Sequence, residues 1–359
     1  MSVAGSYQGE RRSSRFLRRA TGRLGCTHRK ARWGVSVKSS GQLTDGQRKA
    51  IAKLADGFQQ AIDGLGTYPP TLDLSGLTQY DTSELSSVNL KFNVSGISAD
   101  FSANNSTRSL SFTGPAGSMN LSVNTSESEL LGSGAQRAQA IASYLQQFDN
   151  ANTEGHGNAE MMAMFKDAFT QLNTEPAGAV DMSSLGLPPM EQSMLSGPDD
   201  FNASLTDTPD TLGSTNTFSY QVSQSTTTEG DLQNGTITQT QQSHLQASYQ
   251  TMVSAAAQDY DDVQIDENAS STVKLATEKG ILTKASLSQS SSQSTRNSEF
   301  VGGKLVSDVT TPPNTSVSED LLSLLKPFID DGQAAKNTGA WQQELSTIHG
   351  MILLNASAN

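Results

Sequence analysis

A single cysteine, Cys26, stands in 359 residues, which excludes an intrachain disulfide framework and a cysteine-only structural zinc site. Aromatic residues are scarce at 6%, with Trp33 and Trp341 the two tryptophans. Charged residues, at 17%, and hydrophobic residues, at 35%, fall below the usual globular share, and Ser, Thr, Asn and Gln fill the gap. No run of about 18 apolar residues occurs, so no transmembrane segment is expected. No apolar stretch follows Arg11-Arg12 or precedes Cys26, so neither a twin-arginine signal, a lipoprotein signal nor a classical signal peptide is expected.

Charge is present but unevenly placed. Residues 1–40 hold eight Arg, Lys30 and Lys38 against Glu10, a net of +9, which leaves −21 on the rest of a chain whose total is −12. This composition reads as a basic disordered extension over 1–40, separate from the fold. The acidic body lacks any basic stripe, and phosphate binding needs clustered cations, so the body is not expected to bind nucleic acid.

Periodicity organises the remainder. Thr44 to Gln47 forms a capping box ahead of Ile51, Leu54, Phe58 and Ile62 at helical spacing. Alternation then takes over, with Val88, Leu90, Phe92 and Val94, then Ile97, Ala99, Phe101 and Ala103, then Leu110 and Phe112, then Met119, Leu121 and Val123. A second capping box, Ser133 to Gln136, opens a helix carrying Ile141, Leu145 and Phe148, and Met161, Phe165, Phe169 and Leu172 mark another. Residues 41–173 are therefore expected to be an α+β unit of one helix, a β-meander and two covering helices. Residues 174–214, rich in Pro and Gly, read as a linker.

Residues 215–359 read as a second β-rich unit with C-terminal helices. Strands are expected around Phe218–Val222, Leu245–Tyr249, Val263–Ile265 and Val273–Leu275. Ser288 to Ser298 reads as a solvated loop and Ser316 to Glu319 as a third capping box. Thr338 caps a last helix bearing Trp341, Leu345, Ile348 and Ile352. The fold class expected is α+β, with antiparallel meander sheets under amphipathic helices, and the recurrence of sheet then helices raises a duplication of two similar units.

Chemistry is thinly represented. No Gly-x-Ser-x-Gly elbow and no phosphate-binding loop is present. Ser323-Leu324-Leu325-Lys326 has the Ser-x-x-Lys form but lies in an apolar helical pattern without companion motifs. His156, flanked by Gly155 and Gly157 and near Glu154 and Glu160, is the best-placed histidine for base or ligand work, though a solvated loop explains it as well. His349 reads as an interface or surface residue. The cluster Asp259, Asp261, Asp262, Asp266 and Glu267 offers hard oxygen ligands that suit calcium, but it lacks the glycine and closing glutamate of an EF-hand, and a charged connection between strands is the simpler account.

The function expected is that of a non-enzymatic structural or interaction protein, extracellular or exposed on a bacterial cell surface, with a protein partner or self-association and no cofactor. The alternative is a hydrolase or calcium-dependent binding protein using the 259–267 cluster or His156.

Overall fold

The computed structural model describes residues 2–9, 32–38, 42–67, 70–94, 96–126, 132–174, 187–208, 216–254, 258–311, 314–334 and 336–354. Its strands are β1 (Ser2–Gly9), β2 (Arg32–Lys38), β3 (Ser87–Val94), β4 (Ile97–Asn104), β5 (Thr107–Gly114), β6 (Gly117–Asn124), β7 (Asp200–Asp207), β8 (Thr217–Gly230), β9 (Gly235–Ser254), β10 (Asp259–Glu278), β11 (Ile281–Val301), β12 (Lys304–Thr311) and β13 (Asn314–Asp320). The helices are α1 (Asp45–Leu65), α2 (Ser75–Thr78), α3 (Gly134–Glu154), α4 (Ala159–Leu172), α5 (Pro189–Gln192), α6 (Leu321–Asp330) and α7 (Gly339–Ile352).

All thirteen strands join one sheet, in which β3 to β12 follow each other in chain order as an antiparallel meander. β12 and β13 share the outer edge of β11, and β1 runs parallel to β3 with β2 beyond it. In the basic extension, Val3, Gly5 and Tyr7 stand in register with Val37, Val35 and Trp33, and residues 10–31, with most of the arginines and Cys26, lie outside the described residues. The sheet does not divide into two units. Within the expected linker, Asp200–Asp207 is a central strand, with Phe201, Ala203 and Leu205 alternating inward between β6 and β8.

Two further expectations give way to the ladder. Ser288 to Ser298 is not a loop but the middle of β11, paired to β10 along its whole length. Backbone pairing on both sides outweighs weak side-chain propensity, and rungs such as Ser270–Ser290 at 2.9 Å and Ser291–Thr315 at 2.6 Å add hydrogen bonds. Ser316 to Glu319 lies in β13 rather than capping a helix, and Asp320 caps α6 through Leu322 N. Thr44 and Ser133 do form their capping boxes, and Thr338 accepts from Trp341 N.

One face of the sheet is apolar and carries the helices. A first core runs from Leu54 to Ile265 in sequence, with α1, α3 and α4 over the strands, so it crosses the expected domain boundary. Its centre is aromatic: Phe169 lies 5.1 Å from Phe148 and 4.9 Å from Phe201, and Tyr144 lies 4.9 Å from Phe201. A second core joins Leu187, Met194 and Leu195 to α6, α7 and the far ends of β9 to β11.

Between the two cores lies a buried polar seam. Gln241 on β9 accepts from Tyr144 Oη at 2.9 Å and Leu354 N at 3.0 Å, and donates to the Ile352 carbonyl at 3.0 Å. Gln224, Gln239 and Ser271 are as buried as the leucines around them, and they bind Ser196, the chain at Pro198 and the end of α7. His349 belongs to this seam rather than to the surface: it is 1% exposed and bonds the Ser196 carbonyl at 3.0 Å and Gln139 at 3.2 Å. Burial holds its pKa below the ordinary histidine value, against the pull of the Ser196 carbonyl.

Candidate functional site: a polar trough across the sheet

Successive side chains of a strand point to opposite faces, so every apolar inward residue leaves a partner on the other side. Here those partners are almost all short and polar, and strand register lines them up. One rung crosses ten strands as Asn89, Ser102, Ser109, Ser122, Asn202, Ser223, Gln242, Ser270, Ser290 and Ser316. The next crosses the same strands as Lys91, Asp100, Ser111, Asn120, Ser204, Gln221, His244, Asn268, Ser292 and Asn314. The sheet curves around this face, and one cavity of about 1210 Å³ is lined by residues from β4 through β11 and from β13.

The trough contains few charges, and the carboxylates of Asp100 and Asp266 are each anchored by a neighbour. Lys91 binds Asp100, and His244 Nε2 lies 3.1 Å from Asp266 Oδ1. Gln246 and Asn268 also donate to Asp266. Partial burial works against ionisation of Asp266, yet the bonds from Gln246, His244 and Asn268 outweigh it and hold the carboxyl below its ordinary range. The site is thus a near-neutral lattice of hydroxyls and amides around two anchored carboxylates.

The structure does not gather the expected site residues. Along β10, Asp262 and Asp266 share the trough face, whereas Asp261 and Glu267 share the helix-bearing face with Ile265 and Ala269. Asp259 accepts from Gly302 N at the turn after β11. Among the described residues, no three His, Cys, Asp or Glu side chains are placed to hold a metal ion. His156 is exposed, has φ of 53°, and stacks on Tyr249 at 3.8 Å between centroids.

Two carboxyls do converge near that histidine. Glu154, at the end of α3, is hydrogen-bonded to Glu267 and accepts from Gln293 at 2.7 Å. Burial first, and the charge of Glu267 second, push the Glu154 carboxyl above its ordinary range. Its folded state therefore holds a proton more tightly than the unfolded chain does. The resulting stability is complete below the ordinary carboxyl pKa and is lost as pH rises through the elevated value. Glu154→Gln should remove that loss, so the variant should melt about 1–3 °C above the parent chain at pH 8 and no higher than it at pH 4, after allowance for solvent screening. Equal melting temperatures at pH 8 would contradict the pairing.

The trough itself is what reading the sequence missed. Its signal was present, since each strand alternates apolar residues with Ser, Asn, Gln or Thr, but only register shows that these form continuous rungs. No family model matches the chain, and no curated protein or solved structure matches it.

Proposed function

We propose that the chain is a non-enzymatic binding protein whose working surface is the polar trough, and that it takes a neutral, hydroxyl-rich chain of the oligosaccharide class. The observation that carries this is the pair of unbroken polar rungs over ten strands. Adjacent strands lie about 4.8 Å apart, close to the length of one sugar unit in an extended glycan. A glycan laid across the strands would meet a hydroxyl or amide from each rung at nearly every unit. Each bond exchanges a water partner and contributes modestly, so affinity must come from repetition. Asp100 and Asp266 add stronger, charge-assisted acceptors for sugar hydroxyls. The near-neutral surface disfavours an ionic ligand, whose desolvation no cluster of opposite charge would offset.

Exposure outside the cell, on a bacterial surface, is compatible with this reading, as is a function in adhesion or capture. The test is calorimetric titration of the full chain with neutral gluco-, galacto- and xylo-hexaoses, with a galacturonate oligomer as the charged control. At least one neutral hexaose should bind, and Ser122→Glu combined with Ser223→Glu should weaken it at least tenfold, about 1.4 kcal/mol, without changing the melting temperature. Absence of neutral-glycan binding at millimolar concentration, or binding indifferent to the two glutamates, would remove the proposal.

A further inference from the structure

β13 (Asn314–Asp320) closes the sheet on one side, and among the described residues no strand lies beyond it. All of its residues are exposed, with Val317 at the midpoint 47% exposed. An edge strand presents a row of unpaired amides and carbonyls, and proteins ordinarily blunt such a row with a bulge, a lysine or a proline. β12, on the same side of β11, has two of these devices: a register shift opposite Glu299 and Phe300, and Lys304. β13 has none of them. Its register to β11 runs unbroken from Asn314 to Asp320, and its sequence Asn-Thr-Ser-Val-Ser-Glu-Asp gathers both charges at one end. It also stands where the trough ends, with Asn314 in the cavity lining and Ser316 completing the first rung.

We infer that β13 pairs antiparallel with β13 of a second copy of this chain, about a twofold axis through Val317. The side chains select that partner, because in this register the strand is complementary to itself. Val317 meets Val317 of the second copy, and Ser316 meets Ser318. Thr315 meets Glu319 and Asn314 meets Asp320, so each carboxylate faces a hydroxyl or amide donor, in the stronger, charge-assisted kind of bond. Thr315 shares one hydrogen bond with Ser291 at 2.6 Å, and a hydroxyl has capacity for more. Cross-strand pairs of these kinds stabilise a sheet. The acids of the two copies stay apart. Glu319 and its counterpart are offset by four residues, about 14 Å at 3.4 Å per residue, which exceeds the Debye length of about 8 Å at physiological ionic strength.

The axis runs normal to the sheet, so both troughs open on the same side and the first rung passes from Ser316 into Ser318 of the second copy. Pairing thereby doubles the polar surface across the strands. Seven residues a side fall well short of the roughly 20–30 of a standard interface, so the dimer is a weak, concentration-dependent one.

The experiment is sedimentation velocity of the full chain over a concentration series, with Val317→Lys, Val317→Asp and Val309→Lys as variants. The parent should move from 38.0 kDa toward twice that mass as concentration rises. Val317→Lys opposes like charges on the axis and should weaken dimerisation at least tenfold, about 1.4 kcal/mol. Val317→Asp should do the same, and an equal mixture of the two should dimerise again, because the axis then sets Lys against Asp. Val309→Lys, on β12 and at a position 56% exposed, should leave the dimer unchanged. In a Cys26→Ser background, Val317→Cys should form a disulfide-linked dimer on oxidation, since opposed Cβ atoms lie about 4.5–5.5 Å apart. Val317 is exposed, so the fold should persist in these variants, with thermal melting as the check. A chain that stays monomeric throughout, a dimer indifferent to Val317→Lys, no recovery in the mixture, or loss of the dimer in Val309→Lys would each overturn the inference. The hexaose titration of the trough stands apart from all of these outcomes.

Discussion

Replacing Gln241 by alanine should destabilise the protein by about 3–5 kcal/mol, the range for breaking a buried hydrogen-bonded network. The side chain is 1% exposed and serves three groups that have no access to bulk water: the Tyr144 hydroxyl, the Leu354 amide and the Ile352 carbonyl. Removing the amide orphans the Leu354 N–H, which costs about 1–3 kcal/mol, and takes one bond each from the Tyr144 hydroxyl and the Ile352 carbonyl, which keep Gln224 and Ser271 as partners. Gln241→Leu separates this account from packing, because it fills the volume and restores none of the bonds. Both variants should lose comparable stability in denaturant unfolding, and amides of 351–354 should exchange faster with solvent. A loss below about 1 kcal/mol for Gln241→Leu would show that the seam is not what fixes α7 to the sheet.

Phe169→Ala should cost a similar amount by a different route, about 3–5 kcal/mol of lost transfer energy and cavity formation. Phe169 is 1% exposed and touches the rings of Tyr144, Phe148 and Phe201, so α4, α3 and β7 all line the cavity it would leave. Phe169→Leu keeps most of the volume and should cost less than about 1.5 kcal/mol. Tyr144 contacts both Phe169 and Gln241, so the Gln241→Ala and Phe169→Ala losses should not add. A double-mutant cycle giving strict additivity would place the two sites in independent regions.

How much of this the sequence shows depends on how local each signal is. The capping boxes at Thr44 and Ser133 are four-residue devices, and both form as read. The β3–β6 meander is also legible, since its alternation and turn residues lie within forty residues of one another. β7 is not, because Pro198 and Pro209 frame a strand of eight residues and give its neighbourhood a linker composition. β11 is hidden for a related reason: a Ser and Gln run has no apolar face to reveal it when one side meets the polar seam and the other the trough. The seam glutamines could have been suspected, since Gln239 and Gln241 share the parity of Ile237 and Leu245 along β9. The trough rungs could not, because no single strand contains the register that aligns them.

The acidic cluster gives the reverse lesson. Five acids within nine residues read as a ligand set in one dimension, yet a strand places neighbours on opposite faces, and β10 does so with Asp261 and Asp262. Density in sequence becomes proximity in space on a loop and separation on a strand.

The most direct check is the hydrogen-exchange rate of the backbone amides in residues 200–207. If a single unbroken ribbon of strands carries both the hidden cores and the ligand surface, these amides should exchange as slowly as those of 119–123 and 218–222, through global unfolding alone. Exchange at the rate of an open chain would mean that this stretch tethers two separate bodies, and neither the rungs nor the trough would exist.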